Sequence, residues 1–168
     1  MNVDNLTIIA LGSNVGDSQS ILVGAMDCLA TLSSRPLLKS SLWQTTPVDC
    51  PPGSPMFINA VVGLVPQPAE TPELLLAKLF QIEKDFGRKL RNIPNEPRRL
   101  DLDLITFGNI TRASKELTLP HPRAQERRFV LQPLSEIAPN LIFPGQRKTV
   151  AELLAALNTG EKLVQLTS

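Results

Sequence analysis

The chain has 168 residues, enough for one domain with a substantial core and no need of disulfides or a structural metal. Its 17 basic and 16 acidic residues nearly cancel, which argues against a general nucleic-acid or membrane binder that works through net charge. Cys28 and Cys50 match no metal-ligand spacing and are too few for a disulfide scaffold, so both read as reduced thiols of a cytoplasmic protein with no export signal and no membrane span.

In chain order, Leu6 to Leu11 reads as a buried strand, and Gly12-Ser13-Asn14-Val15-Gly16-Asp17 as a tight loop that ends in a helix cap at Asp17 or Ser18. The helix carries an apolar stripe at Ile21, Leu22, Ala25, Leu29 and Leu32, as expected of one face packed on a sheet. Leu37 to Gln44 and Phe57 to Val65 then read as two strands joined by a proline-rich loop. Thr71-Pro72-Glu73 starts a second helix, whose stripe runs through Leu75, Leu79, Ile82 and Phe86 and stops at Gly87. A basic loop over 88–99 leads into a further strand. Beyond it lie a loop at Leu119-Pro120-His121-Pro122, a short helix near Gln125 to Arg128, and a C-terminal helix from about Val150 to Leu157. The order predicts a single domain over 1–168 with an α+β, ferredoxin-like βαββαβ plan: an antiparallel sheet, helices on one face, and C-terminal additions. Such a plan hosts many unrelated activities.

The chemistry concentrates in Arg98-Arg99-Leu100-Asp101-Leu102-Asp103-Leu104-Ile105. In an extended strand Asp101 and Asp103 share one face roughly 7 Å apart, while the leucines face the other way. One reading is a solvated strand face. The other is a seat for Mg²⁺, a hard cation usually held by one or two carboxylates, with waters and substrate phosphates completing its shell. Six basic residues between Lys84 and Arg99, and three more at Arg123, Arg127 and Arg128, gather positive charge around this pair and favour a metal–phosphate site. The Gly12 loop lacks the ending of a P-loop and the spacing of a dinucleotide fingerprint, and reads as a structural turn. His121, the only histidine, lies between two prolines with Arg127 nearby, which suits phosphate contact. Phe57 and Phe129 are core residues by default, but the polar Asn59 beside one and the arginines beside the other leave room for stacking on a flat ligand. An Asp-x-Asp anchor for a different nucleotide substrate, such as a nucleotide sugar, remains a rival. So does an RNA-binding module, although the chain has no Tyr, one Trp and no RNP-type run.

Several segments occur together in a recognisable order: Ala10-Leu11-Gly12-Ser13-Asn14, Thr45-Thr46-Pro47, Phe57-Ile58-Asn59-Ala60, Ile82-Glu83 with Gly87-Arg88, the arginine–aspartate strand, and Leu119-Pro120-His121-Pro122 with Arg127 and Phe129. Over nearly its full length the chain resembles the hydroxymethyl-dihydropterin pyrophosphokinase family of the folate pathway. The resemblance implies transfer of diphosphate from ATP to 6-hydroxymethyl-7,8-dihydropterin, with attack at the β-phosphorus and release of AMP. It implies two Mg²⁺ ions on Asp101 and Asp103, and Arg88 and Arg98 as catalytic residues of a closing loop. Arg98, Thr118, His121 and Arg127 would contact ATP. Phe57 and Phe129 would sandwich the pterin, with Asn59, Thr45 and Val48 reading its polar edge. The implied protein is a monomer with small-molecule substrates and no nucleic-acid or membrane partner. The chain departs from the family pattern at Asn95, Leu90, Phe80 and Pro122, which bears on loop closure and ATP contacts rather than on the metal site.

Overall fold

The computed structural model describes residues 6–14, 17–45, 57–87, 100–159 and 162–166. They form strands β1 (Thr7–Ser13), β2 (Leu38–Lys39), β3 (Trp43–Thr45), β4 (Phe57–Leu64), β5 (Asp101–Phe107), β6 (Arg112–Ala113), β7 (Thr118–Leu119) and β8 (Leu163–Gln165). The helices are α1 (Ser18–Ala30), α2 (Pro72–Asp85), α3 (Arg128–Ile137) and α4 (Val150–Ala156). The main sheet is antiparallel with strand order β5-β1-β4-β3-β8, and β2 pairs with the far end of β4. β6 and β7 form a separate two-stranded ribbon.

Helix starts follow the caps in the sequence. Asp17 accepts the backbone N–H of Ser20 at 3.3 Å, and Thr71 accepts that of Leu74 at 3.1 Å with Pro72 in the first turn. Gly87, at φ 104°, follows α2 in a conformation that costs glycine little. Thr149 and Glu152 close α4 with a reciprocal capping box.

The sheet is buried on both faces, which is why Leu6 to Leu11 is a continuous apolar run rather than an alternating one. Ile9, Leu11, Ala60 and Val62 meet Leu22 and Leu29 of α1 and Leu75 and Leu79 of α2. The opposite face, Ile8, Ala10, Val61 and Ile105, meets Val130, Leu131 and Leu134 of α3, together with Phe143 and Val150. The sequence expects helices on one face; α1 and α2 do share one, but the C-terminal additions cover the other. The expected short helix near Gln125 to Arg128 is also corrected. A 3-10 turn over Ala124–Glu126 is followed by α3, ten residues long with Pro133 inside it. Among the described residues no helix is long and apolar enough to cross a membrane.

Two irregularities set which side chains reach the α3 face. Leu38 stands opposite Gly63 but Trp43 opposite Asn59, so five residues on this strand span four on β4. The expected single strand from Leu37 to Gln44 is therefore broken by a bulge. Ser40 bridges the break: its N–H donates to the Val61 carbonyl and its Oγ accepts the Val61 N–H, both at 2.9 Å. On β5, Ile8 faces Thr106 and Ile9 faces Leu104, leaving Ile105 as the extra residue. The Ile105 carbonyl accepts the N–H of His121 at 2.8 Å, so this second bulge docks the histidine loop on the strand that carries the aspartates.

Candidate active site

Four strands set one residue each in a single row. Asp101 of β5 stands opposite Gly12 of β1, Gly12 opposite Asn59 of β4, and Asn59 opposite Trp43 of β3. With strands about 4.8 Å apart, the Asp101 and Asn59 backbones lie roughly 10 Å from each other. A Cβ at Gly12 would come within 3.1 Å of Asn59 Oδ1. Hydrogen at this position leaves room for the Asn59 amide, and Gly12, expected to open a tight loop, is instead a residue of β1.

On the β4 side the groups are buried and paired. Asn59 is 6% exposed and Thr45 5%, and Asn59 Nδ2 donates to Thr45 Oγ1 at 2.9 Å. That bond fixes the amide, turning Oδ1 towards Gly12. Phe57 is half-buried and stands opposite Thr45. Phe129, also half-buried, lies in the first turn of α3, and the Arg127 guanidinium sits over its ring at 5.4 Å from the centroid.

On the β5 side the groups are half-exposed. Asp101 and Asp103 alternate with buried Leu100, Leu102 and Leu104, as expected, and point to the α3 side of the sheet. β5 is the outermost strand. The Leu102 N–H faces away from β1 and is taken up by Glu83 of α2, which is 2% exposed and accepts it at 2.8 Å. Left unpaired, that N–H would cost about 1–3 kcal/mol. Glu83 thus braces the residue between the two aspartates. The sequence signal was present but unused: Glu83 falls four residues after Leu79 and eight after Leu75, on the buried stripe of α2.

The His121 loop closes this side. The Leu119–Pro120 peptide is cis. His121 Nδ1 accepts the backbone N–H of Arg123 at 3.2 Å, which leaves the ring proton on Nε2 as a donor. Burial holds the imidazole below its ordinary pKa; Arg127 and Arg123 push it further down, and Asp101 opposes them. Thr118 is exposed on β7, which packs beside β5.

The fold thus brings Asp101, His121 and Arg127 into one electrostatic group, Arg127 and Phe129 into a stack, and Thr45 and Asn59 into a hydrogen-bonded pair. Thr118 lies on the ribbon, on the strand that packs beside β5. Val48, Arg88 and Arg98 lie outside the described residues, as do Leu90 and Asn95. Phe80 is 51% exposed on α2, and Pro122 is exposed in the histidine loop. Among the described residues no group of three or more His, Cys, Asp or Glu side chains is arranged around a metal position.

A relative from Synechocystis sp., a 2-amino-4-hydroxy-6-hydroxymethyldihydropteridine pyrophosphokinase, is 39% identical over 147 residues, covering 88% of this chain and 73% of its own. An enzyme of the same name from Methylorubrum extorquens is 36% identical over 150 residues, covering 89% of this chain and 92% of its own. The crystal structure of Plasmodium falciparum HPPK-DHPS wild type with pteroate superposes with a TM-score of 0.70 at 13% identity. That match covers 90% of this chain and 42% of the Plasmodium chain, so the present chain spans less than half of it, and the likeness concerns the fold. Taken together these place the chain among the pyrophosphokinases, ATP-dependent enzymes that transfer a diphosphate. It belongs to the 7,8-dihydro-6-hydroxymethylpterin-pyrophosphokinase family, whose model matches residues 8–139.

Proposed function

We propose that this chain transfers the terminal diphosphate of ATP to the hydroxymethyl group of 6-hydroxymethyl-7,8-dihydropterin, giving AMP and the pterin diphosphate for folate biosynthesis. Its family membership makes it a pyrophosphokinase with ATP as co-substrate. The observation that carries the reading of the site is the row Asp101, Gly12, Asn59, which sets a cation-seeking strand one glycine away from a buried amide suited to a polar heterocycle.

In this reading Asp101 and Asp103 hold two Mg²⁺ ions. The donor set fits: two hard carboxylates on one face of β5 suit an ion that completes its shell from water and phosphate. When bound, the metal neutralises triphosphate charge and orients the chain of phosphates. His121 donates through Nε2 to a phosphate oxygen, Arg127 and Thr118 bind ATP beside it, and Arg88 and Arg98 stabilise the charge that develops on the departing oxygen. Phe57 and Phe129 clasp the pterin faces, the second with its other side under Arg127. Asn59, Thr45 and the backbone near Val48 read the rim, rejecting analogues that would leave buried partners unpaired. The pterin hydroxyl oxygen attacks the β-phosphorus, and its proton passes to solvent water. The bond from that phosphorus to the α–β bridging oxygen breaks, and AMP departs with the electron pair. Positioning and electrostatics carry such a reaction.

The ferredoxin-like plan is part of the same proposal. It is supported by the four expected strands lying in the order fourth, first, third, second across the sheet. A single monomeric domain in the cytoplasm completes the reading. Purified protein with ATP, Mg²⁺ and the hydroxymethyl pterin is expected to form AMP one-for-one with the pterin diphosphate; ADP as co-product would overturn the reaction.

A further inference from the structure

Glu136 stands seven residues after Phe129 on α3. At 3.6 residues per turn the two share one helix face about 10 Å apart. Its carboxylate gathers three donors from Trp43, at the start of the strand that carries Thr45, and from Ser41 just before it. Trp43 Nε1 donates to Oε1 at 2.6 Å, the Ser41 hydroxyl to Oε2 at 2.7 Å, and the Ser41 N–H to Oε1 at 3.2 Å. Ser41 Oγ in turn accepts from Gln165 Nε2 of β8 at 2.7 Å, so the C-terminal strand is tied into the same knot.

α3 needs such a tie. Its N-terminal end, where Phe129 sits, has no side-chain cap, and its directional bond there, Arg128 Nη2 to the Leu157 carbonyl at 3.0 Å, runs to the end of α4 rather than to the sheet. Val130, Leu131 and Leu134 anchor it to the sheet through apolar contacts. Those contacts set how close the helix lies to the sheet, but being non-directional they resist sliding and rotation weakly. Hydrogen bonds to an ionised carboxylate are directional and roughly twice as strong as neutral ones. Trp43, Thr45, Phe57 and Asn59 alternate onto the α3 side of their strands.

Resting on the site reading above, we propose that Glu136 is a positioning residue for the pterin. By clamping α3 to β3 through Ser41 and Trp43, it fixes the spacing between Phe129 and the Thr45–Asn59 wall. Glu136 touches neither substrate, and its effect runs through the width of the slot.

The test uses the intact protein, in which Trp43 is the only tryptophan and reports on the clamp by its emission. Glu136→Ala is expected to shift Trp43 emission and to raise the pterin KM about tenfold, with kcat and the ATP KM within about threefold of wild type. Glu136→Gln keeps an acceptor for the indole but loses the charge and the second acceptor, and is expected to raise the pterin KM about threefold, less than Glu136→Ala, with kcat and the ATP KM within about twofold. Trp43→Phe, which removes the indole N–H together with part of the ring, should raise the pterin KM in the wild-type background and raise it by a smaller factor in the Glu136→Ala background. An unchanged pterin KM in Glu136→Ala would overturn the positioning role while leaving the reaction standing. A parallel loss in kcat and both KM values, equal in the Ala and Gln variants, would overturn it as well, since slot width predicts neither. Wild-type protein that does not turn over the pterin at all would overturn the site reading and this role together.

Discussion

The two halves of the site are built in opposite ways. On the β4 side, Thr45 and Asn59 are buried, bonded to each other and held by continuous ladder. On the β5 side, Asp101, Asp103, His121 and Arg127 are half-exposed, and they are brought together by an edge strand and a loop docked on its bulge. A neutral heterocycle is recognised by fixed donors and acceptors whose desolvation cost is met before binding. A metal triphosphate is recognised by charge, which acts over longer distance and works with waters still present. The neutral half should therefore fail through affinity for one substrate, and the charged half through turnover.

The largest expected effect is on the charged half. Asp101→Ala or Asp103→Ala should lower kcat by about 10²–10³-fold or more in an AMP-release assay, while pterin binding measured without nucleotide changes little. Wild-type turnover in both variants would break the contrast. Asn59→Leu should raise the pterin KM by about 10²-fold and leave the ATP KM nearly unchanged. It should also cost about 1–3 kcal/mol of stability in urea denaturation, because Thr45 loses its buried donor. Gly12→Ala tests the boundary between the halves. The added methyl meets Asn59 Oδ1 at 3.1 Å, and the amide is held by Thr45, so the pterin KM should rise about tenfold and more than the ATP KM.

The smallest effect, and the sharpest probe of the charged half, is the titration of the sole histidine. Burial and the two arginines lower the His121 pKa, so the neutral form is favoured in the fold. As pH falls below about 6.5 the unfolded chain takes up a proton that the folded one resists, so stability declines through the window between that value and the lower folded one. NMR of the ring protons should give a midpoint below 6.5. Arg127→Leu should raise it and Asp101→Asn should lower it further; shifts of the reverse sign would remove His121 from this electrostatic group.

The residues most legible in the sequence were those whose chemistry is local. Thr71-Pro72-Glu73 announced α2, and Asp101 and Asp103 announced their shared face, because a cap or an alternation needs only neighbours in the chain. What was hidden depended on the third dimension. α3 was obscured by Pro133, which removes a helical hydrogen bond and reads as a break, although Val130, Leu131 and Leu134 hold the helix to the sheet. Ribbon β6–β7 and strand β8 are two or three residues long, too short for a period to register. Glu83 has no visible task in the sequence and Gly12 reads only as a turn, since the need for Glu83 appears when β5 lies against α2 and that for Gly12 when β1 lies beside Asn59 of β4. The bulge did leave a trace: Leu37 and Leu42 pack into the same side of the core although five residues apart, an odd spacing that straight alternation forbids.

That bulge is a phase joint. β2 and β3 each keep their own alternation, and the joint absorbs the odd count between them. The side that β3 displays is thereby uncoupled from chain length at residues 40–42, provided Ser41 keeps its bonds to Glu136. A version one residue shorter there would close into straight ladder and still hold threonine against Asn59. A one-residue change inside 43–45 has no such outlet and would turn the wrong side chain inward. The wall of the candidate site has a joint at one end and continuous ladder at the other, and the ladder end carries Thr45 and Asn59.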